Sequence, residues 1–195
     1  MVQAACRREA LPQTFSGSTA GQRGHVRWYL VHTAKGSEQS ICNQIKRLIG
    51  RDLLEDAFVM RREYWFKRQG TWELQLKPMY QGYVFVATRD AAALDRALAG
   101  LSLHVRIAGS ESHAYQPMAP EAQAWFESVL DSQYVLRNSI ACINNGVLTI
   151  QAGPLVGQEA RVRKIDRRKR WCQVAVGEGS DAFSEVLPMD VPIKN

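Results

Sequence analysis

The pattern of secondary structure changes once along this chain, and that change limits the folds open to it. Up to residue 131 the sequence alternates between strand-like and helix-like segments, whereas residues 145–190 contain only short strand-like segments. Glycine, proline and one strongly charged turn separate those short strands. Strands mixed with helices predict a layered fold, and short strands divided by turn residues predict a small barrel or sandwich. The chain is therefore predicted to contain two different domains.

Residues 27–131 predict an α+β sandwich. Aromatic and β-branched residues dominate five strand-like segments, which lie at 28–32, 57–66, 72–76, 82–87 and 103–107. Apolar spacing and end signals predict three helices, at 41–49, 91–99 and 120–130, with Asp90 as an N-cap and Pro120 at a first helical position. The turn at 68–70 predicts a hairpin, because Gly70 can adopt positive φ. This order favours a mainly antiparallel sheet with helices covering one face.

The rest of the chain divides into a tail, a linker and a small β domain. Residues 1–24 are polar and lack an apolar period, so we expect a flexible tail. Residues 132–144 also lack a period and are predicted to be a linker. Residues 145–195 predict an SH3-like β-barrel, with strands at 147–150, 160–163, 171–176 and 185–187. In the third of these strands, alternation places Cys172, Val174 and Val176 in the core and Trp171 and Gln173 outside.

A cluster of positive charge lies in the turn before that strand. Residues 161–171 contain one acid and seven cations, which are Arg161, Arg163, Lys164, Arg167, Arg168, Lys169 and Arg170. Their net charge of +6 equals that of the whole chain, so the other residues are close to neutral together. Cations neutralise phosphates, and the neighbouring Trp171 offers a ring on which a base can stack. The cluster predicts RNA or DNA binding; a turn that only aids solubility is the alternative.

Composition and spacing argue against several other classes of protein. With 46% apolar and 23% charged residues, the chain is typical of folded, soluble proteins. No apolar run approaches the ~20 residues of a membrane-spanning helix, and no signal-peptide stretch is present, so a cytoplasmic protein without membrane contact is predicted. The histidines are isolated, and the four cysteines are widely scattered: Cys6, Cys42, Cys142 and Cys172. We therefore predict no catalytic site, no metal site, no disulfide and no cofactor.

Three stretches resemble signatures of the NusG family of bacterial transcription elongation factors. Residues 27–38 are similar to the family's first strand and the start of its first helix. Residues 79–86 resemble its central Pro-Gly-Tyr-Val signature, with Gln81 in place of the proline. Residues 153–166 resemble a KOW motif, with Ala160 where glycine is usual. The three occur in the family's order and on both sides of the predicted domain boundary.

The resemblance covers nearly all of residues 27–190 and implies a fold and a branch. It implies a NusG amino-terminal domain, of α/β sandwich type, followed by a KOW domain. Residues 164–170 and the hairpin at 64–70 are most similar to the specialised antiterminator branch called LoaP. That branch implies a factor that suppresses pausing or termination by processive antitermination.

The resemblance also implies partners and contact residues. In the family, the first domain docks on the clamp helices of RNA polymerase, and the matching positions here are Trp28, Met79, Tyr80 and Tyr83. Trp28 and Tyr83 could equally be core aromatics of their strands. The KOW domain would engage nascent RNA, including a structured element such as a hairpin, through the seven cations of the cluster and Trp171. The expected protein is a monomer. A general NusG elongation factor and a ribosome-associated KOW RNA-binding protein remain alternatives.

Overall fold

The computed structural model describes residues 25–112, 114–177 and 182–194, without the side chains of residues 193 and 194. Three helices occur in these ranges: α1 (Glu38–Leu48), α2 (Ala91–Ala99) and α3 (Pro120–Val129). The strands are β1 (Arg27–His32), β2 (Asp56–Phe58), β3 (Arg61–Arg68), β4 (Thr71–Pro78), β5 (Tyr83–Thr88), β6 (Val135–Leu136), β7 (Ser139–Asn144), β8 (Val147–Ala152), β9 (Val162–Asp166), β10 (Trp171–Val176) and β11 (Phe183–Lys194). The tail predicted at 1–24 lies outside the described residues.

The first sheet has the order β1-β5-β2, with β5 antiparallel to both neighbours. Both faces of β5 are apolar: Val84 and Val86 pack with α1 and α2, whereas Phe85 and Ala87 pack with α3. The sequence-based prediction that helices cover one face is therefore wrong. A strand with apolar residues on both sides requires cover on both sides, and α3 supplies the second layer.

The helices begin where the local sequence signals place them. The Asp90 carboxylate accepts a hydrogen bond from the Ala93 N–H at 2.9 Å, which confirms it as the N-cap of α2. Pro120 occupies the first turn of α3, where its missing N–H has no helical partner to lose. Leu94, Leu98 and Phe126 are fully buried, so the apolar side of each helix faces the sheet.

The long strand predicted through residues 57–66 is two strands in two sheets. β2 pairs with β5 through Phe58, and β3 begins at Arg61 by pairing with β4 and, in parallel, with β6. Between them Val59 and Met60 are both buried but pack into different clusters. The chain therefore turns from one sheet to the other at these two residues, a break that its continuous β-like composition does not reveal.

Two further predictions about secondary structure are wrong. Of the strand predicted at 103–107, only Ile107 makes a bridge, to Val31. Its N–H donates instead to the Asp95 carboxylate at 3.0 Å, and His104 has a φ of 51°, which an extended strand does not allow. The predicted linker at 132–144 contains β6 and all of β7. β6 pairs with the distant β3, and β7 pairs with the adjacent β8 and with the distant β11.

The carboxy-terminal strands form a five-stranded sheet in the order β8-β7-β11-β10-β9. β7 and β11 are parallel, and the other pairs are antiparallel. Cys172, Val174 and Val176 have no exposed surface, which confirms their predicted place in the core. This core continues into the amino-terminal part, where the rings of Phe126 and Phe183 lie 6.5 Å apart.

Candidate nucleic-acid interface and contact surface

The basic cluster lies on the hairpin between β9 and β10. Asp166 pairs with Trp171 across the two strands, so four residues, 167–170, form the connection. The Asp166 carboxylate accepts the Lys169 N–H at 2.9 Å, and Arg170 has a φ of 53°. A four-residue hairpin that ends in a left-handed residue is a common turn for joining antiparallel strands. The strand pairing thus presents Arg167, Arg168 and Lys169 together at one end of the sheet, whereas Arg161 lies near Ala175, toward the other end of β10.

The seven cations of the cluster differ in their surroundings. Five of them are exposed: Arg163, Lys164, Arg167, Arg168 and Lys169. Arg161 is half-buried, with its guanidinium 3.5 Å from the Ala175 carbonyl oxygen. Arg167 donates a weak hydrogen bond, at 3.4 Å, to the Val191 carbonyl oxygen. The exposed cations are free of acidic partners among the described residues, and they form the surface best able to meet phosphates.

Arg170 occupies a different position from the one that its place in the cluster predicts. Its guanidinium carbon lies 4.6 Å from the ring centroid of Trp65 and 5.3 Å from that of Trp72. The same guanidinium pairs with Asp190 at 3.3 Å. Arg170 therefore joins the basic turn to the β3–β4 hairpin, and its charge is already engaged. Among the seven cations predicted to bind RNA, Arg170 is therefore the one that rings and a carboxylate hold in place.

Trp171 is half-buried and lies on the outer side of β10, opposite the core residue Cys172. The Lys164 ammonium lies 5.9 Å from its ring centroid. Trp171 also lines a narrow cleft between β10–β11 and β3, which includes Tyr64 and Trp65 on the hairpin side. An aromatic ring beside an exposed cation suits an unpaired base and its phosphate.

Trp28, one of the predicted polymerase contacts, belongs to the core. Its side chain is 5% exposed, and its ring meets those of Phe58 and Phe85 edge-on, at 4.8 and 6.4 Å. Its backbone N–H donates to the Gln123 side chain at 3.1 Å. A ring enclosed in this way offers no surface to a partner, so the core alternative is the correct one for Trp28.

Met79, Tyr80 and Tyr83 are half-buried and lie around the turn before β5. The turn is fixed by the buried Glu38 carboxylate, which accepts the Gly82 N–H at 2.7 Å. Burial alone would raise the pKa of Glu38, but hydrogen bonds from Gly82 and other backbone N–H groups outweigh it and lower the pKa. Glu38 thus fixes the backbone at Gly82, in the turn around which the three side chains lie.

Tyr80 is engaged by the carboxy-terminal sheet. Its hydroxyl donates to the Glu185 carboxylate, and its ring meets Phe85 edge-on at 5.6 Å. Burial, followed by the negative charge of Glu185, raises the pKa of Tyr80 above its usual range. Arg62 adds a hydrogen bond to the Val186 carbonyl oxygen and an ion pair with Glu185 at 4.0 Å. The Tyr80 side chain is therefore covered in this structure by residues of β11.

Comparison with known proteins identifies the family of the amino-terminal part. The family model described as "Transcription termination factor nusG" matches residues 26–122. The amino-terminal domain belongs to the NusG family. A solved structure described as "Domain interaction in Thermotoga maritima NusG" is 16% identical in sequence, covers 84% of this chain and 93% of that chain, and has a TM-score of 0.44. No curated protein matches the chain significantly.

The NusG domain contains the predicted polymerase contacts but not the basic turn. Met79, Tyr80 and Tyr83 lie inside the matched residues, whereas the cations begin at Arg161. NusG proteins are transcription factors rather than enzymes, in agreement with the non-catalytic protein predicted from the sequence. Among the described residues, no group of three or more His, Cys, Asp and Glu side chains could hold a metal ion. No helix in those ranges is long and apolar enough to cross a membrane.

The aromatic surface of the NusG domain's β3–β4 hairpin was not predicted from the sequence. Tyr64 and Phe66 are 43% and 39% exposed, and the Lys77 ammonium lies 4.6 and 5.8 Å from their ring centroids. Trp65 and Trp72 project from the other face toward Arg170. The available signal was the run of three aromatic residues at 64–66 with basic residues on either side, because successive strand residues point to opposite faces.

Proposed function

We propose that this protein is a NusG-type transcription factor that binds RNA polymerase through its NusG domain and nascent RNA through the basic turn. It promotes processive antitermination, as its similarity to the LoaP branch implies. The observation that carries the proposal is the combination of a NusG domain at 26–122 with a separate, exposed cluster of cations on the β9–β10 turn. One element supplies the attachment to polymerase and the other the attachment to RNA.

The carboxy-terminal strands are proposed to be the KOW domain, with an SH3-like barrel. Five strands, β7 to β11, fit that assignment, and the KOW-like stretch at 153–166 falls between β8 and the end of β9. Since β7 begins at Ser139, the proposed domain starts a few residues earlier than the boundary drawn from sequence. The NusG domain is proposed to extend over residues 27–131.

Met79, Tyr80 and Tyr83 are the proposed contacts with the clamp helices of polymerase. They cluster at one turn, and aromatic residues with polar tips are favoured anchors in interfaces. Since Glu185 accepts the hydroxyl of Tyr80, binding through Tyr80 requires that this hydrogen bond break. The proposed factor catalyses no reaction. Two linked sites raise each other's effective concentration, so modest affinity at each is sufficient.

Co-purification with polymerase tests the proposed function. Tagged protein is recovered from its native lysate after nuclease treatment and probed for RNA polymerase and ribosomal proteins. We expect polymerase with the unaltered chain and its loss with Tyr80→Ala. Tyr64→Ala is the matched control, because Tyr64 is an exposed tyrosine outside the predicted contact. Thermal unfolding of both variants establishes that they fold.

Two outcomes contradict the proposal. Polymerase that co-purifies equally with Tyr80→Ala excludes the predicted contact. Ribosomal proteins recovered without polymerase favour the ribosome-associated alternative.

RNA binding is tested separately. Arg167→Gln/Arg168→Gln is expected to weaken RNA binding and leave polymerase association intact. Each phosphate that the variant no longer neutralises should lower the slope of log affinity against log salt by about 0.7–0.9.

A further inference from the structure

The cation–aromatic contacts of the described residues all fall in two segments, the β3–β4 hairpin and the β9–β10 hairpin that carries the basic turn. Within the first, Lys67 lies 5.8 Å from the ring centroid of Trp72. Within the second, Lys164 of β9 lies 5.9 Å from the ring centroid of Trp171 of β10. Between these two segments, the guanidinium carbon of Arg170 lies 4.6 Å from the ring centroid of Trp65 and 5.3 Å from that of Trp72. These residues form a row that crosses from one domain to the other, and we call Lys67, Trp72, Arg170, Trp171 and Lys164 the cation–aromatic strip.

Residues outside the strip help to hold it in place. The Trp65 indole N–H donates to the Asn138 side chain at 2.9 Å, and Arg62 donates to the Val186 carbonyl oxygen. Arg170 pairs with Asp190 of β11 at 3.3 Å. The two hydrogen bonds fasten the hairpin to the carboxy-terminal part, and the ion pair fixes Arg170 within that part. A ligand that crosses both segments therefore meets a preorganised surface.

The charge of the hairpin suits an anionic ligand. Residues 61–78 contain five cations and two acids, a net charge of +3, outside the basic turn. Lys67 and Arg68, at the hairpin tip, are exposed. An acidic protein would match the charge alone, but the rings beside the cations add stacking surfaces, which an unpaired nucleotide uses together with phosphate neutralisation. Bases stacked inside a duplex do not offer their faces, so the strip suits a single strand.

We propose that the NusG-domain hairpin is part of the RNA-binding surface and that an unpaired stretch of the RNA held by the basic turn continues along the cation–aromatic strip. Lys67 and Arg68 contact phosphates, and Trp72 is a platform for a base. This inference rests on the proposed binding of RNA by the basic turn and extends that site onto the other domain. β3 and β4, eight residues each, add about 26 Å of surface at ~3.3 Å per residue.

The salt dependence of RNA binding tests the phosphate contacts. The full chain is titrated with a fluorescent uridine 12-mer over a series of salt concentrations. Lys67→Gln/Arg68→Gln is expected to reduce the slope of log affinity against log salt by about 1.4, since each single-strand phosphate contact contributes about 0.7. The control with the same charge change is Arg47→Gln/Arg96→Gln. These exposed residues lie on α1 and α2, on the face of the first sheet opposite α3.

A tryptophan variant tests the stacking contact. Trp72→Ala is expected to weaken binding of the 12-mer about 5- to 150-fold at constant salt, the range for removal of one base–aromatic stack, with little change in slope. Trp72→Phe retains an aromatic face and should restore most of the affinity. An alanine variant that binds like the phenylalanine variant would show that stacking on this ring contributes nothing.

The outcomes separate this inference from the function on which it rests. An unchanged slope in Lys67→Gln/Arg68→Gln, or an equal decrease in the control, overturns the extension onto the hairpin. If Arg167→Gln/Arg168→Gln lowers the slope of log affinity against log salt in that same experiment, RNA binding by the basic turn is supported even though the extension onto the hairpin is not. Failure of the unaltered chain to bind the 12-mer overturns the proposal that the strip binds a single strand. Polymerase co-purification is measured independently of both.

Discussion

At the scale of single residues, the buried Asp95 is the most highly connected polar group of the NusG domain. Its carboxylate accepts hydrogen bonds from the Arg106 side chain, from the Ile107 N–H at 3.0 Å and from the Tyr115 hydroxyl at 3.2 Å. Burial favours a raised pKa for Asp95, but these donors and the charge of Arg106 outweigh it, so its pKa is lowered. One helix residue thereby fixes the irregular segment after α2.

Asp95→Asn should destabilise the protein in a pH-dependent way. At pH 7 the loss of a buried charged acceptor is expected to lower the free energy of unfolding by about 1.5–3 kcal/mol. A carboxyl with a lowered native pKa contributes stability above its unfolded value of about 3.9 and loses it as the pH falls through the native pKa. The difference between the variant and the unaltered protein, measured by urea unfolding, should therefore shrink between pH 5 and pH 3. A difference independent of pH contradicts this assignment.

At the scale of elements, two turns depend on glycine for different reasons. Gly70 closes the β3–β4 hairpin with a φ of 88°, and a Cβ there would meet nothing within 4 Å. Gly153 follows β8 with a φ of 98°, and a Cβ there would lie 2.6 Å from the Asn138 carbonyl oxygen and from the Ser139 Cα. The first turn requires only the backbone conformation, whereas the second also requires the missing side chain.

Three glycine-to-alanine variants should therefore form a graded series. Gly70→Ala is expected to lower the free energy of unfolding by about 1–2 kcal/mol, the cost of a left-handed alanine. Gly153→Ala should lower it further, because backbone atoms must also move apart. Gly100→Ala is the control: the residue has a φ of −74°, and the new Cβ would meet its nearest neighbour at an ordinary 3.5 Å. Equal losses at Gly70 and Gly153 in urea unfolding would contradict the predicted clash.

At the scale of the whole molecule, the two domains share one apolar core. A single cluster of buried residues includes Trp28 and Phe126 from the NusG domain and Val174 and Leu187 from the carboxy-terminal sheet. α3 is the layer between them, since it packs against β1 of the NusG domain and against β10 of the carboxy-terminal sheet. We therefore expect the domains to stabilise each other.

Thiol labelling of the two domains tests their coupling. Cys42 lies in the core of the NusG domain and Cys172 in that of the carboxy-terminal sheet, and both are free thiols. Burial raises the pKa of Cys172 to about 12 and also raises that of Cys42, so both should react slowly until the protein opens. Phe126→Ala, expected to cost about 3–5 kcal/mol, should accelerate labelling at both cysteines, as followed by mass spectrometry.

The control for this measurement is Glu121→Ala, an exposed position on the same helix, which should leave both rates unchanged. Faster labelling of Cys42 alone in Phe126→Ala would show that the carboxy-terminal sheet is stable without the NusG domain. The shared core would then contribute little to its stability.

The sequence alone determined the features that depend on neighbours in the chain. The Asp90 cap, the start of α3 at Pro120 and the turn at Gly70 each follow from the chemistry of a few adjacent residues. The alternation that buries Cys172 follows in the same way from the strand period. The concentration of cations in residues 161–170 is likewise a property of the sequence, and it predicted where the candidate RNA site would lie.

Only the tertiary structure decided the features that depend on remote partners. The break between β2 and β3, the strands at 135–144 and the burial of Trp28 are each set by pairing or packing with residues far along the chain. Arg170 is the clearest case. The three residues before it are basic, yet Trp65 and Trp72, about a hundred residues away, engage its guanidinium. A local pattern specifies which groups a segment carries, whereas long-range packing determines which of those groups remain free to bind.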